Sequence, residues 1–326
     1  MEVAAFCRQT KVIIVAGKGG VGKSTVSAVL ARMAGMAGVP TLLVELDGKS
    51  GLPLVFGREG PLTYEEIELV APSVGADGGV ATAWIRARRL TPDDALLDYL
   101  SDHGLGRISK RLVNSGALDV VATAVPGLRD ILVLGKIKQL EREDAAGLII
   151  VDAPATGHAL SALSTPQGLA DAVSVGPIRV QAQDVIGLLA DKSRCQVLLV
   201  TLPEETPVNE AAQAAFEMED KTGVNLGPVV VNSVYPQVPE LSVDPGKAAS
   251  QVGSALAPDQ IKALGEAAFF RRSRRALQEE QLGRLAETLP LAQLRLPHLF
   301  TTKLGLEEID HLARCLATEI ENLEPA

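Results

Sequence analysis

The chain has 326 residues, with 31 basic against 40 acidic side chains, and its net charge of −9 with neutral histidines argues against general nucleic-acid binding. Six Phe, three Tyr and one Trp leave few surfaces on which bases would stack. A content of 47% hydrophobic and 22% charged residues is that of a globular protein and excludes a disordered chain or a small disulfide scaffold. Length alone suits two domains, or one α/β domain carrying a helical insertion.

The opening segment MEVAAFCRQTK has no basic stretch leading into a long apolar one, so no secretory signal is expected and the chain runs directly into a strand. The first strand is the apolar run at residues 12–16. Val26, Val29, Leu30, Met33 and Ala37 then share one helix face, which stops at the glycine–proline signal of residues 38–40. Arg32, the glycines and Pro40 interrupt this apolar window, so no bilayer-spanning helix and no direct membrane insertion is expected there. A second strand follows at residues 41–46.

Thr91-Pro92-Asp93-Asp94 is a helix start, and Leu128, Ile131, Leu132 and Gly135 trace a face of a further helix. The stretch at about 92–145 is therefore read as a helical insertion. Strands are expected at 148–151, 197–202 and 229–231, with a helix between the last two, capped by Thr206 before Pro207 and stopped by Gly223. Residues 236–253, with Pro236, Pro239 and Pro245, read as a mobile connection. Helices are expected over about 258–287 and 306–323. Apolar runs without alternation belong to strands covered on both faces, so the expected fold is a doubly wound, mostly parallel α/β sheet.

Between the first strand and first long helix lies Gly17-Lys18-Gly19-Gly20-Val21-Gly22-Lys23-Ser24-Thr25, which matches GxxxxGK[ST] in the strand–loop–helix context the motif requires. Glycines let successive backbone N–H groups turn toward phosphate oxygens. Lys23 is placed to reach the β and γ phosphates and Ser24 to hold Mg²⁺. The chain is thus expected to be a P-loop NTPase taking ATP and Mg²⁺. Lys18 adds a second cation to the loop, at a cost in repulsion unless an anion compensates it; the plain alternative is a solvated surface lysine.

GKGGVGKS resembles the deviant phosphate loop of the signature-lysine ATPases, and within that group the chain looks like the arsenical-pump ATPase and its relative that guides tail-anchored membrane proteins. Short bacterial members with one ATPase unit are the most similar, a likeness that PGLRDILVLGKIKQL at residues 126–140 supports. The resemblance implies a dimer, of two identical chains or with a paralogue, in which Lys18 reaches the neighbour's phosphates. It implies that Asp47, in TLLVELDGKSGLPLVFG, positions the attacking water, although Gly48 and Lys49 depart from the family's Pro and Ala. LIIVDAPATGHALSAL is similar to the family's second switch, with Asp152 in the Mg²⁺-holding Walker B role and Gly157 and His158 matching family letters. Asn232 matches the family residue that reads adenine, and Pro297 with His298 resembles its second base loop.

Three departures narrow the branch. Residues 92–143 contain no cysteine, which excludes thiolate metalloid binding there. Cys7, Cys195 and Cys315 form no CxxC pair for an interfacial zinc or iron–sulfur site. The tail GLEEIDHLARCLATEIENLEPA is acidic rather than a basic lipid-binding helix. Leu96, Leu97, Leu100, Leu112, Val113, Ile131 and Leu132 either line a client groove or pack the insertion's own core, and the basic clusters at 86–89 and 271–275 read as solvated helix faces. The expected function is a cytoplasmic ATPase whose dimer opens and closes around a protein client or membrane partner. A nucleotide-gated binding module with negligible hydrolysis is the alternative, and a small-molecule kinase a third.

Overall fold

A computed structural model describes residues 1–46, 51–74, 80–102, 104 and 127–323. Elements follow in chain order as α1 (Val3–Arg8), β1 (Val12–Gly17), α2 (Lys23–Met36), β2 (Thr41–Glu45), α3 (Leu52–Val55), β3 (Ile67–Val70), β4 (Ser73–Val74), β5 (Val80–Thr82) and β6 (Ile85–Arg89). Next come α4 (Pro92–Asp102), α5 (Leu128–Arg142), β7 (Leu148–Ala155), α6 (Thr156–Ala172), α7 (Pro177–Ala190), β8 (Cys195–Thr201) and α8 (Glu205–Thr222). The chain continues through β9 (Val229–Val234), a 3₁₀ turn at Pro239–Ser242, α9 (Pro245–Gln251), α10 (Pro258–Thr288), β10 (Gln293–Pro297) and α11 (Leu306–Glu321).

Eight strands form one sheet in the order β10-β9-β8-β1-β7-β2-β6-β3, parallel throughout except for the β3–β6 pair. The alternation along β1 shows why it is central. Val12, Ile14 and Ala16 enter one core with Ile131, Ile137, Val185 and Met218, whereas Ile13 and Val15 enter the other with Val29, Leu30, Met33, Leu312 and Leu316. Helices α2 and α11 therefore cover one face and α5 to α8 the other, which buries β1 on both sides. Both faces being apolar is the physical reason the strand lacks polar alternation. The chain leaves β1 for β2 on one side, and later passes from β7, beside β1, to β8 on its other side, so a crevice opens at the carboxyl end of β1, the position at which doubly wound sheets take ligands.

Several expectations change on folding. Residues 3–8 form a helix, not a strand lead-in, because Phe6 and Cys7 pack under α11 and α2. The stretch at 236–253 holds the 3₁₀ turn and α9, where the Asp244 carboxylate accepts from the Lys247 amide. Helix α8 starts one residue before Thr206; Glu204 is its N-cap, and Pro207 sits in the first turn, where a missing N–H costs nothing. Arg86 to Arg89 lie on strand β6 rather than a helix, with Arg86 over the Trp84 ring at 4.6 Å and Arg88 over the Tyr64 ring at 4.3 Å. Leu96, Ile131 and Leu132 are buried in the core beside the sheet and Leu97 and Leu100 are half-buried, whereas Leu112 and Val113 lie outside the described residues.

One polar contact ties α2 to α11. The Arg32 guanidinium donates to both Asp310 oxygens, at 2.5 and 3.1 Å, with the two side chains 14% and 23% exposed. Removing one partner of such a pair strands the other charge in a poorly solvated place. Arg32→Ala is expected to lower unfolding stability by about 2 kcal/mol in urea titrations, with a smaller loss for Arg32→Lys.

Candidate functional site

The phosphate loop leaves β1 at Gly17, where a Cβ would lie 2.5 Å from the Val200 carbonyl oxygen of the neighbouring strand. Gly20 and Gly22 take φ of +86° and +93°, a region that L side chains rarely enter. Gly19 and Gly20 are exposed, Val21 is buried, and Gly22 caps α2, so Lys23, Ser24 and Thr25 form its first turn. The loop thereby presents a helix N-terminus, with the amides of its first turn, to the crevice, an arrangement suited to phosphate. The Lys23 ammonium donates to the Lys18 carbonyl at 3.2 Å, so both lysines belong to one curled segment.

Asp152 lies beneath this turn near the end of β7 and is 5% exposed. It accepts from the Ser24 hydroxyl at 2.6 Å and from the buried Ser27 hydroxyl at 3.2 Å. Burial pushes the Asp152 carboxyl above the ordinary carboxylate range, against the Ser24 and Ser27 hydrogen bonds and the Lys23 charge, while Glu45 pushes it further up. Ser24 and Asp152, brought together as the sequence predicts, form a hard oxygen pair beside a phosphate cradle. That donor set fits Mg²⁺, which takes one or two carboxylates and draws its remaining ligands from phosphates and water. Ser27 escaped the sequence analysis, although it stands one helical turn after Ser24.

Lys18 has an anion after all. Its ammonium pairs with the Glu210 carboxylate of α8 at 2.8 Å, which offsets the repulsion between two loop lysines. Lys18 and Glu210 share the wall of a cavity of about 190 Å³ with Gly17, Val21, Thr156 and Gly157. His158 is exposed on the first turn of α6. Asp47, with Gly48 and Lys49, lies outside the described residues.

Asn232 reaches the loop from β9. Its amide nitrogen donates to the Val21 carbonyl at 3.0 Å and its oxygen accepts from the Ser233 amide at 2.9 Å, where Ser233 takes φ of +61°. Pro297 ends β10 opposite Val234, and the His298 amide donates to the Val234 carbonyl. Beyond that junction Tyr235, His298 and Phe300 gather at ring separations of 4.6 to 5.5 Å, with the Arg271 guanidinium over Phe300. Gln278 of α10 braces the junction by accepting from the Tyr235 amide and donating to the Ser233 carbonyl. Tyr235 and Phe300 were not singled out in the sequence: Tyr235 lies one residue past β9, and Phe300 two residues after His298.

The sequence that forms this site matches a family of known proteins. The family described as anion-transporting ATPase matches residues 10–177, slightly more than half of the 326-residue chain. The chain belongs to the anion-transporting ATPase family. ATPase BagA of Mycobacterium tuberculosis is 34% identical over 230 residues, covering 68% of this chain and 65% of that protein. The arsenical pump-driving ATPase of Escherichia coli is 27% identical over 297 residues, 85% of this chain and 49% of its own length. ATPase GET3C of Arabidopsis thaliana is 23% identical over 278 residues, 70% and 68% of the two chains. The chain thus spans just under two thirds of the length of the mycobacterial relatives it matches. The family match contains the phosphate loop, Asp47 and Asp152, whereas Glu210, Asn232 and Pro297 fall beyond it. Among the described residues no helix is long and apolar enough to cross a membrane.

Proposed function

We propose that this chain hydrolyses ATP with Mg²⁺ and uses the cycle to open and close a dimer, of identical chains or with a paralogue, around a protein client or membrane partner. The observation that carries the reading is the Ser24–Asp152 hydrogen bond of 2.6 Å under a loop holding two lysines. Bound Mg²⁺ would supply charge neutralisation at the β and γ phosphate oxygens. Ser24 and Asp152 hold it, Lys23 and the loop amides bind phosphate, and Asn232 with Pro297 borders the base. Asp47 orients the attacking water. Lys18 exchanges Glu210 for phosphate oxygens of the second subunit, so that hydrolysis by the lone chain is slow.

The test is phosphate release with and without Mg²⁺ on wild type and Asp47→Asn. Wild type should turn over only with Mg²⁺, and Asp47→Asn should lose roughly 100-fold in turnover while still binding nucleotide, as expected when water loses its orienting group. Tight nucleotide binding without any phosphate release would instead favour a nucleotide-gated binding module. ATP consumption without free phosphate would indicate transfer to an acceptor.

A further inference from the structure

Glu45 closes β2 and is 3% exposed, although it is a glutamate at the phosphate end of the sheet. In the parallel register it stands opposite Asp152 of β7 on one side and Arg89 of β6 on the other. Directly paired residues of neighbouring parallel strands project to the same face, about 4.8 Å apart along the sheet. Asp152 identifies that face, because Ser24 and Ser27 of α2 donate to it. The Glu45 neighbour Leu43 agrees, since it enters the core that α2 covers. Glu45 therefore projects toward the first turn of α2, beside Asp152, close enough for its charge to act on that carboxyl.

Two carboxylates side by side away from water repel; among the described residues the Lys23 charge opposes that repulsion at Asp152, and Arg89 stands beside Glu45 in the register with β6. A divalent cation between the sheet edge and the phosphates turns this repulsion into attraction. We infer that Glu45 is a second metal-side carboxylate, a positioning residue that helps Ser24 and Asp152 hold Mg²⁺ on the nucleotide. This rests on the nucleotide-binding reading above. Sequence patterns leave it unmarked, because Asp47, two residues later, is the acid that the family resemblance selects.

The role has a signature that a purely structural glutamate lacks. Glu45→Gln keeps the shape and removes one negative charge near the phosphates. Binding of a fluorescent ADP analogue is measured against Mg²⁺ concentration and again in EDTA, with Mn²⁺ binding followed by EPR. The Mg²⁺ half-saturation should rise roughly 10-fold in Glu45→Gln, within the range for groups supporting a metal ligand, while affinity in EDTA stays the same or tightens. A half-saturation within twofold of wild type, or equal weakening with and without metal, overturns the inference. Should Glu45→Gln not fold, Glu45→Asp decides. It keeps the charge on a shorter arm, and a Mg²⁺ response shifted threefold or more with EDTA binding intact supports the role, whereas an unshifted response refutes it. Wild type that binds no analogue in either condition refutes the nucleotide reading itself and the Glu45 role with it. Wild-type binding with an unresponsive Glu45 variant refutes only the latter.

Discussion

Gly22→Ala is expected to abolish nucleotide binding while leaving the sheet folded. Gly22 sits at φ +93° and ψ +29°, a left-handed conformation in which an alanine costs roughly 1–2 kcal/mol. Space is the larger obstacle. A Cβ there would lie 2.3 Å from the Asn232 amide nitrogen, which is held on the Val21 carbonyl. Either the loop opens or Asn232 swings out and leaves that carbonyl unpaired. Both outcomes move the amides of Val21 and Gly22 that should face phosphate. The affinity of the variant for an ATP analogue should fall by about 100-fold or more, the equivalent of about 3 kcal/mol. Circular dichroism should remain that of wild type, since no strand residue changes.

Asp152→Asn should separate stability from function in opposite directions. Burial holds the Asp152 carboxyl above its ordinary range. A carboxyl raised in the folded state gives its fullest contribution to stability below the ordinary carboxylate pKa, and that contribution is lost as pH rises through the raised value. At neutral pH the ionised group therefore costs stability in the protein without nucleotide. Asparagine has the same shape, accepts from Ser24 at its oxygen and carries no charge. Asp152→Asn should raise stability at pH 7 by about 1 kcal/mol, and the gain should shrink as pH is lowered through the ordinary carboxylate range. The same variant should lose the dependence of nucleotide binding on Mg²⁺. Thermal unfolding from pH 4 to 8, with and without Mg²⁺ and ADP, checks both halves. Loss of stability at pH 7 would mean that the Ser24 and Ser27 bonds outweigh desolvation.

Legibility followed burial and chain distance. β1, β2, β7, β8 and β9 were predicted because strands covered on both faces are unbroken apolar runs, and the ends of those runs lie within a few residues of the structure. β3, β6 and β10 were not, since IELV, IRARR and QLRLP lie toward the sheet edges, where alternate residues meet solvent. The phosphate loop and Asp152 were legible because their residue types are fixed by local chemistry and a short spacing. Glu210, by contrast, meets Lys18 only after the chain has crossed the sheet and returned. No spacing rule connects a loop lysine with the middle of a distant helix. Asn232 illustrates the intermediate case. The residue at the end of β9 was singled out for the base, and its structural contact is with the loop carbonyl of Val21.

Isothermal titration calorimetry of the wild-type chain with a non-hydrolysable ATP analogue and Mg²⁺ tests the central claim most directly. A saturable isotherm of one site per chain, absent in Lys23→Ala and weakened when EDTA replaces Mg²⁺, is the predicted result. No heat of binding in the wild type, or an isotherm that Lys23→Ala leaves unchanged, would contradict it.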